Sequence, residues 1–383
     1  ACSAECEKIK GSKNLNVPHL RFTEFSGEWK EELLDRIATL SKGIGIPKEQ
    51  LSEDGDPCIL YGELYTKYKS EIIKQVESKT DIDGSKLKRS KANDVIIPCS
   101  GETAVDIATA RCVPFDSILL GGDLNVISLH KYDGAFMSYQ LNGKRKYDIA
   151  RVAQGVSVVH LYGEHLKTIK TYNPTLPEQQ KIAILLSLLD ERIATQNKII
   201  DKLQSLIKGI AQNIVSNNKP NIRLSDCLDC SSSTLQESDV CETGIYPVYG
   251  ANGIVGYLDN YNTEGEAVYI IKDGSGVGIV SYATGKCSAT GTLNTLQAKD
   301  GYSLQYLYYI LKVFNFEPYK TGMAIPHIYF KDYGKAKIFC PSYTEQLRYA
   351  RLQSAIDSKL SVEKNILTSL SSQKQYLLRQ MFI

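Results

Sequence analysis

Two stretches of this 383-residue sequence resemble each other, GVSVVHLY at residues 155–162 and GMAIPHIY at residues 322–329. In both copies the similarity continues to a proline and then to Glu-Gln, at a constant offset of 167 residues. Between residues 153–193 and 320–360, 11 of 41 positions are identical, whereas unrelated sequences would share about two or three. The chain therefore contains an internal duplication, which predicts two lobes of one architecture.

The residues after Glu-Gln predict a long helix in each copy. Ten positions from 182 to 214 advance in alternating steps of four and three, and nine of them are apolar; seven of the ten equivalent positions in the second copy are apolar. This is the a/d heptad pattern of a coiled coil. The seam residues expected to pair the helices and to support a partner are Ile182, Leu186, Leu189, Ile193, Leu203, Ile207, Ile356, Leu360, Leu367 and Leu370.

The length of these helices predicts that they pair with each other. A helix from about residue 177 to 216 is roughly 60 Å long, and two such apolar stripes cannot both face water. We expect an antiparallel pair. Both copies are polar at the same register, Gln196 and Glu363, and a polar residue in an apolar seam can specify register at a cost in stability.

The upstream part of each repeat, 18–170 and 221–340, predicts a lobe of mixed α+β structure dominated by strands. Short apolar runs separated by Gly, Asp and Asn occur at 94–98, 117–122, 267–271 and 278–282, and tyrosines at helical spacing predict a helix near 302–314. Leu34 aligns with Leu224 at an offset of 190, against 167 at the end of the lobes, so the first lobe is about 23 residues longer. The predicted order is lobe, helix, lobe, helix.

The composition is that of an ordinary globular protein, with 43% hydrophobic and 23% charged residues. No run approaches the roughly 20 apolar residues of a membrane span, and residues 1–8 carry acids rather than the apolar core of a secretory signal. We therefore expect a cytoplasmic protein with no membrane contact. Lys and Arg total 45 against 43 Asp and Glu, so nucleic-acid binding would depend on local patches. Ten scattered cysteines do not indicate a disulfide scaffold.

The motifs of catalysis are missing from the sequence. There is no Walker A motif, and glycine-rich 274–278 is expected to be a hairpin turn. Asn173-Pro174 resembles an adenine-methyltransferase motif only superficially, and no glycine-rich S-adenosylmethionine loop follows a first strand. Cys227 and Cys230 form a lone C-x2-C pair, so no metal site is predicted. We expect a chain that is not itself an enzyme and holds no cofactor.

Basic and aromatic residues cluster in both lobes. Lys and Arg can neutralise phosphates, and Tyr or Lys on loops can reach base edges; the alternative for any single lysine is an ordinary solvated surface. His160 and His327, equivalent in the repeat, are expected to bond a backbone group, with DNA contact as the alternative. The DNA-binding candidates are Tyr61, Tyr65, Lys67, Lys69, Lys88, Arg89, Lys144, Arg145, Lys146, Tyr249, Lys272, Tyr282, Lys286, Lys320 and His327.

Together these features resemble the specificity subunit of bacterial type I restriction–modification enzymes. The match is carried by the two Gly…His…Pro…Glu-Gln blocks, the heptad helices and the opening stretch 17–29, VPHLRFTEFSGEW. The resemblance implies a pseudo-twofold arrangement of two target-recognition domains and an antiparallel coiled coil. The implied division is a tail at 1–17, target-recognition domains at 18–174 and 221–342, and spacer helices at 175–220 and 343–383.

The resemblance also implies the partners. Each target-recognition domain would read one half of a split site on double-stranded DNA, and the helices would set the spacing and dock two modification subunits. S-adenosylmethionine, ATP and Mg²⁺ would belong to the modification and restriction subunits. The competing interpretation is a protein-interaction scaffold with two binding lobes on a coiled coil and no DNA.

Overall fold

The computed structural model describes residues 16–383, so most of the predicted tail at 1–17 lies outside the described residues. The chain forms two compact units. Unit 1 contains the chain up to Thr195 together with Leu367–Ile383, and unit 2 contains Gln196–Ile366. Each unit therefore combines one lobe with part of both long helices. No helix in the described part of the chain is long and apolar enough to cross a bilayer.

The first lobe is built from short strands and short helices. Its strands are β1 (Lys30–Leu33), β2 (Ala38–Lys42), β3 (Leu51–Ser52), β4 (Asp56–Ile59), β5 (Ser78–Thr80), β6 (Asp94–Pro98), β7 (Ser100–Gly101), β8 (Arg111–Val113), β9 (Leu119–Leu120), β10 (Leu124–Leu129), β11 (Val159–His160) and β12 (Lys170–Asn173). Its helices are α1 (Leu34–Ile37), α2 (Glu63–Thr66), α3 (Ala104–Ile107), α4 (Gly134–Asn142), α5 (Lys146–Val152) and α6 (Gly163–Lys167). The long helix α7 follows at Leu176–Ser216.

The second lobe has a shorter set of elements. Its strands are β13 (Ile222–Arg223), β14 (Leu228–Ser232), β15 (Tyr246–Gly250), β16 (Gly253–Leu258), β17 (Glu266–Ile271), β18 (Val280–Thr284), β19 (Ser288–Ala289), β20 (Leu293–Ala298) and β21 (Lys337–Ile338). Its helices are α8 (Leu224–Cys227), α9 (Leu304–Leu311) and α10 (Phe330–Tyr333), followed by the long helix α11 (Tyr343–Gln380). These elements match the predicted strand runs, the helix near 302–314 and both long helices.

Each lobe is organised around a four-stranded antiparallel sheet, in the order β2-β10-β6-β8 in the first lobe and β14-β20-β17-β18 in the second. The central strand β6 is buried along its whole length because both of its faces are covered. Val95 and Ile97 point into one core cluster and Ile96 into another, which is the period of two expected for a strand. β17 alternates in the same way.

The two lobes also begin in the same way. Strands β1 and β12 pair antiparallel at the base of the first lobe, and β13 and β21 do so in the second. Leu34 donates its N–H to the carbonyl of Ile169 at 2.9 Å, and Leu224 donates to Ala336 at 3.0 Å. Both leucines are fully buried. The aligned leucines therefore make the same contact in both lobes, between the start of the lobe and the residue before its last strand.

Within unit 1, the start of α7 packs antiparallel to the end of α11. Trp29, Phe136 and Phe382 meet edge-on or tilted, with ring centroids 5.2–6.3 Å apart. Ile182 and Leu186 of α7 are buried in this cluster, beside Leu378 and Met381 of α11. Burial of these aromatic and aliphatic side chains is the main stabilising contribution at this end of the helix pair.

Within unit 2, the end of α7 runs antiparallel to the start of α11. Gln196 donates to the main-chain oxygen of Glu363 at 3.0 Å and also to its carboxylate, and Gln353 donates to the carbonyl of Ile207 at 3.3 Å. Hydrogen bonds from Lys359 and Gln196 lower the pKa of the Glu363 carboxyl. Gln196 and Glu363 are equivalent positions of the duplication, so the two predicted polar seam residues contact each other.

All ten predicted seam residues are buried or half-buried. Ile182, Leu186, Leu189, Ile207, Leu360 and Leu370 are buried, and Ile193, Leu203, Ile356 and Leu367 are half-buried. The antiparallel helix pair is therefore present in both units, as predicted.

The repeated Pro and Gln join each long helix to its lobe. Gln179 donates to the carbonyl of Pro174 at 2.8 Å and accepts from the N–H of Asp133, the residue that caps α4, at 2.9 Å. In the second copy Gln346 donates to Pro341 at 2.9 Å and accepts from the N–H of Ser303, the cap of α9, at 2.9 Å. One amide side chain thus satisfies groups of two elements, which explains its retention in both copies.

The repeated Asp joins the same two elements about three turns further along the long helix. Tyr139 of α4 donates its hydroxyl to Asp190, and Tyr309 of α9 donates to Asp357, both at 2.7 Å. Burial and the adjacent carboxylate raise the pKa of each tyrosine. The hydroxyls therefore remain protonated donors, and each lobe is held to its helix by a charge-assisted hydrogen bond.

Unit 1 adds a buried ion cluster that unit 2 does not repeat. Lys374 of α11 contacts Glu71 at 2.6 Å and Asp190 at 2.7 Å, and Ser70 donates to Asp190 at 3.0 Å. Burial disfavours the charge on Lys374, but the two carboxylates outweigh it and raise its pKa. The equivalent of Lys374 in the duplication is Ile207. The segment carrying Ser70 and Glu71 therefore brings one carboxylate to a lysine in the seam, and Asp190 of α7 supplies the other.

The seam can be tested with two leucines of one helix. We expect Leu186→Ala to lower the free energy of unfolding by about 2–5 kcal/mol, because it leaves a cavity in the aromatic cluster. The matched control Leu188→Ala removes an exposed side chain of the same helix and is expected to cost less than about 0.5 kcal/mol. Urea denaturation of the full chain measures both. Equal losses would contradict the assignment of the seam.

The ion cluster predicts a pH-dependent defect. Lys374→Met removes the lysine that pairs with the buried carboxylates of Glu71 and Asp190 and should cost about 3–5 kcal/mol near neutral pH. The two carboxylates raise the pKa of Lys374 in the folded state, so the stability that its charge contributes is present at neutral pH and is lost as the pH rises through that raised pKa. The deficit, measured by urea denaturation, should therefore be full near neutral pH and shrink as the pH rises above about 10. Lys208→Met, at an exposed lysine of α7, is the control; a deficit that is independent of pH would contradict the prediction.

Candidate nucleic-acid interface

The repeated GxxxxH stretch forms the same loop in both lobes, and we call residues 154–160 and 321–327 the tip loops. In the first, the main chains of Gln154 and His160 exchange two hydrogen bonds of 2.9 and 2.7 Å. Thr321 and His327 exchange two bonds of the same lengths in the second. The five residues between each His and its partner are thereby closed into a tight hairpin.

The glycine of each tip loop is required by its backbone. Gly155 has φ +123° and Gly322 has φ +88°, in a backbone region that residues other than glycine rarely adopt. A Cβ atom would also overlap the carbonyl oxygen of Val158 in the first loop and of Ile325 in the second. Only glycine meets both constraints, which explains why it is identical in the two copies.

The two histidines are half-buried, as expected, but their rings bond side chains and not a backbone group. The Nδ1 atom of His160 lies 3.4 Å from the hydroxyl of Ser100, and that of His327 lies 2.7 Å from a carboxylate oxygen of Asp273. The expected backbone bonds come from the peptide groups of the histidines instead. The reason is that each histidine pairs antiparallel with a residue of a neighbouring segment, His160 with Ser100 of β7 and His327 with Asp273.

The tip loops present apolar side chains to solvent. Val156 is 97% exposed and Met323 is fully exposed; at the next equivalent pair, Val158 is 52% and Ile325 58% exposed. Scattered exposed apolar residues are ordinary, but here they recur at the same two positions of a rigid loop in both lobes. The fold itself does not use them.

An exposed tyrosine with a lysine over its ring follows each tip loop. Tyr162 stacks beside His160, and the ammonium of Lys42 lies over the Tyr162 ring, 5.7 Å from its centroid. The ammonium of Lys331 lies over the Tyr329 ring, 5.3 Å from its centroid. These cation–π pairs place positive charge next to the apolar tips. The two lysines come from different elements, β2 and α10, and each lies over the tyrosine that follows its loop.

In the first lobe the tip loop forms one wall of a cleft of about 740 Å³. Ser157 and Val158 line it together with three of the predicted candidates, Tyr61, Tyr65 and Lys69. Asp106 lines it as well. The cleft thus offers aromatic rings, which can stack on base faces, together with a cation and a carboxylate acceptor, which can hydrogen-bond to base edges.

The other candidates of the first lobe lie apart from this cleft. Lys67 pairs with Glu63 at 2.8 Å, and Arg89 pairs with Asp56 at 2.6 Å. Arg145 lies over the ring of Tyr172 and donates to a main-chain oxygen of Ile383, so its guanidinium is part of the packing of unit 1. Lys88, Lys144 and Lys146 are half-buried. Their predicted role in DNA binding stays a prediction.

In the second lobe the candidates separate into two groups. Tyr249, which packs on Tyr269, and Tyr282, which donates to Glu266 at 2.5 Å, are half-buried within the strands. The remaining candidates are Lys272, Lys286, Lys320 and His327. Lys286 lies over the ring of Tyr261, and Lys320 pairs with Glu317. The carbonyl of Lys272 accepts a hydrogen bond from the N–H of Ile328, beside the tip loop. Lys272, Lys320 and His327 are thus brought together around the second tip loop.

The sequence-based candidates omit the tip residues Val156, Val158, Met323 and Ile325, because these are apolar and the DNA-binding candidates are basic or aromatic residues. The signal was nevertheless present, since these positions lie inside the two repeated stretches. No group of three or more His, Cys, Asp or Glu residues within 16–383 is arranged to hold a metal ion.

A family model for the type I restriction modification DNA specificity domain matches the chain twice, over residues 27–205 and 220–372. The chain belongs to this family. Each match covers one lobe with most of the helix that follows it, as the internal duplication requires. The specificity family is thus shown for both copies.

Two curated relatives belong to the same class. The chain is 28% identical over 117 residues to the specificity subunit of the type I restriction enzyme EcoprrI from Escherichia coli. It is 34% identical over 89 residues to a putative type I restriction enzyme specificity subunit from Haemophilus influenzae. These alignments cover 30% and 22% of this chain and span 29% and 23% of the relatives' own lengths.

Solved structures show the same fold. The S subunit of a type I restriction–modification system from M. genitalium superposes with a TM-score of 0.67, at 20% identity, over 96% of this chain and 99% of that one. A chain from a structure on complex assembly and conformational transition of the type I system gives 0.53 at 15% identity, over 92% and 97%. Specificity-subunit architecture, with two β-rich α+β lobes and long helices, is therefore the fold of this chain.

The tip-loop glycines can be tested by matched substitutions. We expect Gly322→Ala to lower the free energy of unfolding by about 1–3 kcal/mol, because both φ and the contact with Ile325 oppose a Cβ. Gly301→Ala has a similar φ of +84° but no atom near the new Cβ, and should cost about 1 kcal/mol. Urea titration measures the difference. A cost for Gly322→Ala no larger than that for Gly301→Ala would show that the loop does not need this close approach.

Proposed function

We propose that this chain is the subunit that selects the DNA sequence for a type I restriction–modification complex, with each lobe reading one half of a split site. The observation that carries this proposal is the family match over both lobes, combined with the difference between their surfaces. The first lobe has the cleft lined by Tyr61, Tyr65 and Lys69, and these residues lie outside the stretches 153–193 and 320–360 over which the two copies align without a gap. Lobes of one architecture with different surfaces suit two different half-sites.

The long helices supply the second part of the proposal, the docking of two modification subunits. Although their seam is buried, both helices retain exposed large apolar side chains, which favour a protein partner. These are Ile184, Leu188, Ile199, Leu206 and Val215 on α7, and Tyr343, Leu352, Val362, Ile366 and Tyr376 on α11. Helix length would then set the gap between half-sites, since neighbouring base pairs rise by about 3.4 Å.

The chemistry of the complex is assigned to partner subunits in this proposal. The modification subunits would bind S-adenosylmethionine, and the restriction subunits would bind ATP and Mg²⁺. This chain would contribute recognition alone, in the cytoplasm, where the DNA is. A scaffold that does not bind DNA is not favoured, because the matched family is a DNA specificity family.

Methylation mapping tests the proposal directly. The chain is expressed with its modification subunit, and modified adenines are located by single-molecule sequencing with and without this gene. We expect a split motif, methylated in both halves, that depends on the gene. Absence of any gene-dependent mark while the modification subunit is present and active would overturn the DNA assignment and favour the scaffold.

Exchange of one lobe gives the matched control. Replacing residues 18–170 with the corresponding segment of another specificity subunit should change one half of the methylated motif and leave the other half and the gap intact. Replacing 221–340 should change the opposite half. A change in both halves after a single exchange would contradict independent reading by the two lobes.

A further inference from the structure

We propose that the two tip loops anchor DNA without reading its sequence: their exposed apolar side chains pack against the sugars that line the minor groove, and the adjacent lysines contact phosphates. This inference rests on the proposed function, duplex recognition by both lobes. It assigns a role to residues that neither the family match nor the relatives single out.

The tip loops are repeated between two lobes that differ elsewhere. The loop closure, the glycine conformation and the exposed apolar positions recur in both copies, while Tyr61, Tyr65 and Lys69 lie outside the repeated stretch. Base edges differ between two half-sites, but sugars and phosphates are the same in every duplex. An element kept in both lobes is therefore suited to the part of DNA that both half-sites share.

Each tip loop is pre-organised in one conformation. The paired main-chain hydrogen bonds and the restricted glycine hold each tip in one conformation, so little conformational entropy is lost when a ligand contacts it. The exposed side chains of Val156 and Met323 can then contribute by burial of apolar surface, which yields roughly 25 cal/mol per Å². Apolar side chains of this kind, Met among them, are used at the minor groove by proteins that bind DNA there.

A lysine lies beside each tip loop. Lys42 lies over Tyr162 beside the first tip, and Lys331 lies over Tyr329 beside the second. Positive charge at the border of an apolar tip fits a polyanion whose groove wall has apolar sugar faces. An apolar protein surface would not need these cations, so DNA is the occupant that the charges favour.

The experiment uses the complex of the full chain with its modification subunit. Fluorescence anisotropy measures its affinity for a labelled duplex containing the methylated motif and for a duplex of unrelated sequence. Val156→Ser and Met323→Ser should each weaken binding to both duplexes by the same factor, about three- to tenfold, and leave the methylated motif unchanged. Ile245→Ser, at another exposed apolar residue of the second lobe, should leave both affinities unchanged.

Salt dependence separates the lysines from the apolar tips. Lys331→Gln should reduce the slope of log affinity against log salt by about 0.9, the value for one phosphate contact. Met323→Ser should lower the affinity at every salt concentration without changing that slope. Equal slopes for Lys331→Gln and the unaltered complex would overturn the phosphate contact.

The remaining outcomes distinguish the ways in which the proposal can fail. Unchanged affinity for both duplexes in the tip variants would show that the tips do not touch DNA. Weakening for the motif duplex alone would show that they read bases. Loss of the modification subunit from the purified complex would assign the tips to a protein contact. If the unaltered complex itself neither bound duplex nor methylated a motif, the proposed function would fail together with this inference.

Discussion

The buried seam of the two long helices is the constraint on which the rest of the structure depends. A helix of about 40 residues with an apolar stripe cannot remain single in water, since that stripe would stay hydrated along its whole length. In both units the stripe is covered by the other helix, running antiparallel, and by the core of the lobe. Trp29 and Phe382 complete the burial in unit 1, and Tyr306 and Tyr349 pack together in unit 2. Each lobe therefore folds against helices from two parts of the chain.

Polar contacts then determine how a lobe sits on its own helix. The amide of Gln179 or Gln346 bridges a proline carbonyl and a helix cap, and the carboxylate of Asp190 or Asp357 accepts from a buried tyrosine. These groups would be costly if left unpaired in the interior, so neither partner can change alone. That coupling explains why the identities of the duplication concentrate at the start of the long helices.

Away from these contacts, the copies have diverged. The position of Ile207 in one seam is taken by Lys374 in the other, where the longer first lobe supplies Glu71 as a partner. The tip loops keep their shape and their exposed apolar positions, while the surfaces around them differ. The scaffold and the tips are thus common to both lobes, while the first lobe is about 23 residues longer. This division is the one that reading two different half-sites would require.

The sequence by itself determined the duplication, the long helices, their polar seam residues and the β-rich lobes, because these are encoded in spacing over a few residues. A period of 3.5 along α7 or of 2 along β6 is visible without any knowledge of the fold. The basic and aromatic clusters were visible too, but not which of them share a surface. Tertiary structure alone decided that His160 meets Ser100, that His327 meets Asp273, and that Arg145 is packed inside unit 1. It alone joined Lys374 to Glu71, 303 positions away, and left Val156 and Met323 exposed. Such outcomes depend on which distant segments come into contact, and local periodicity carries no record of them.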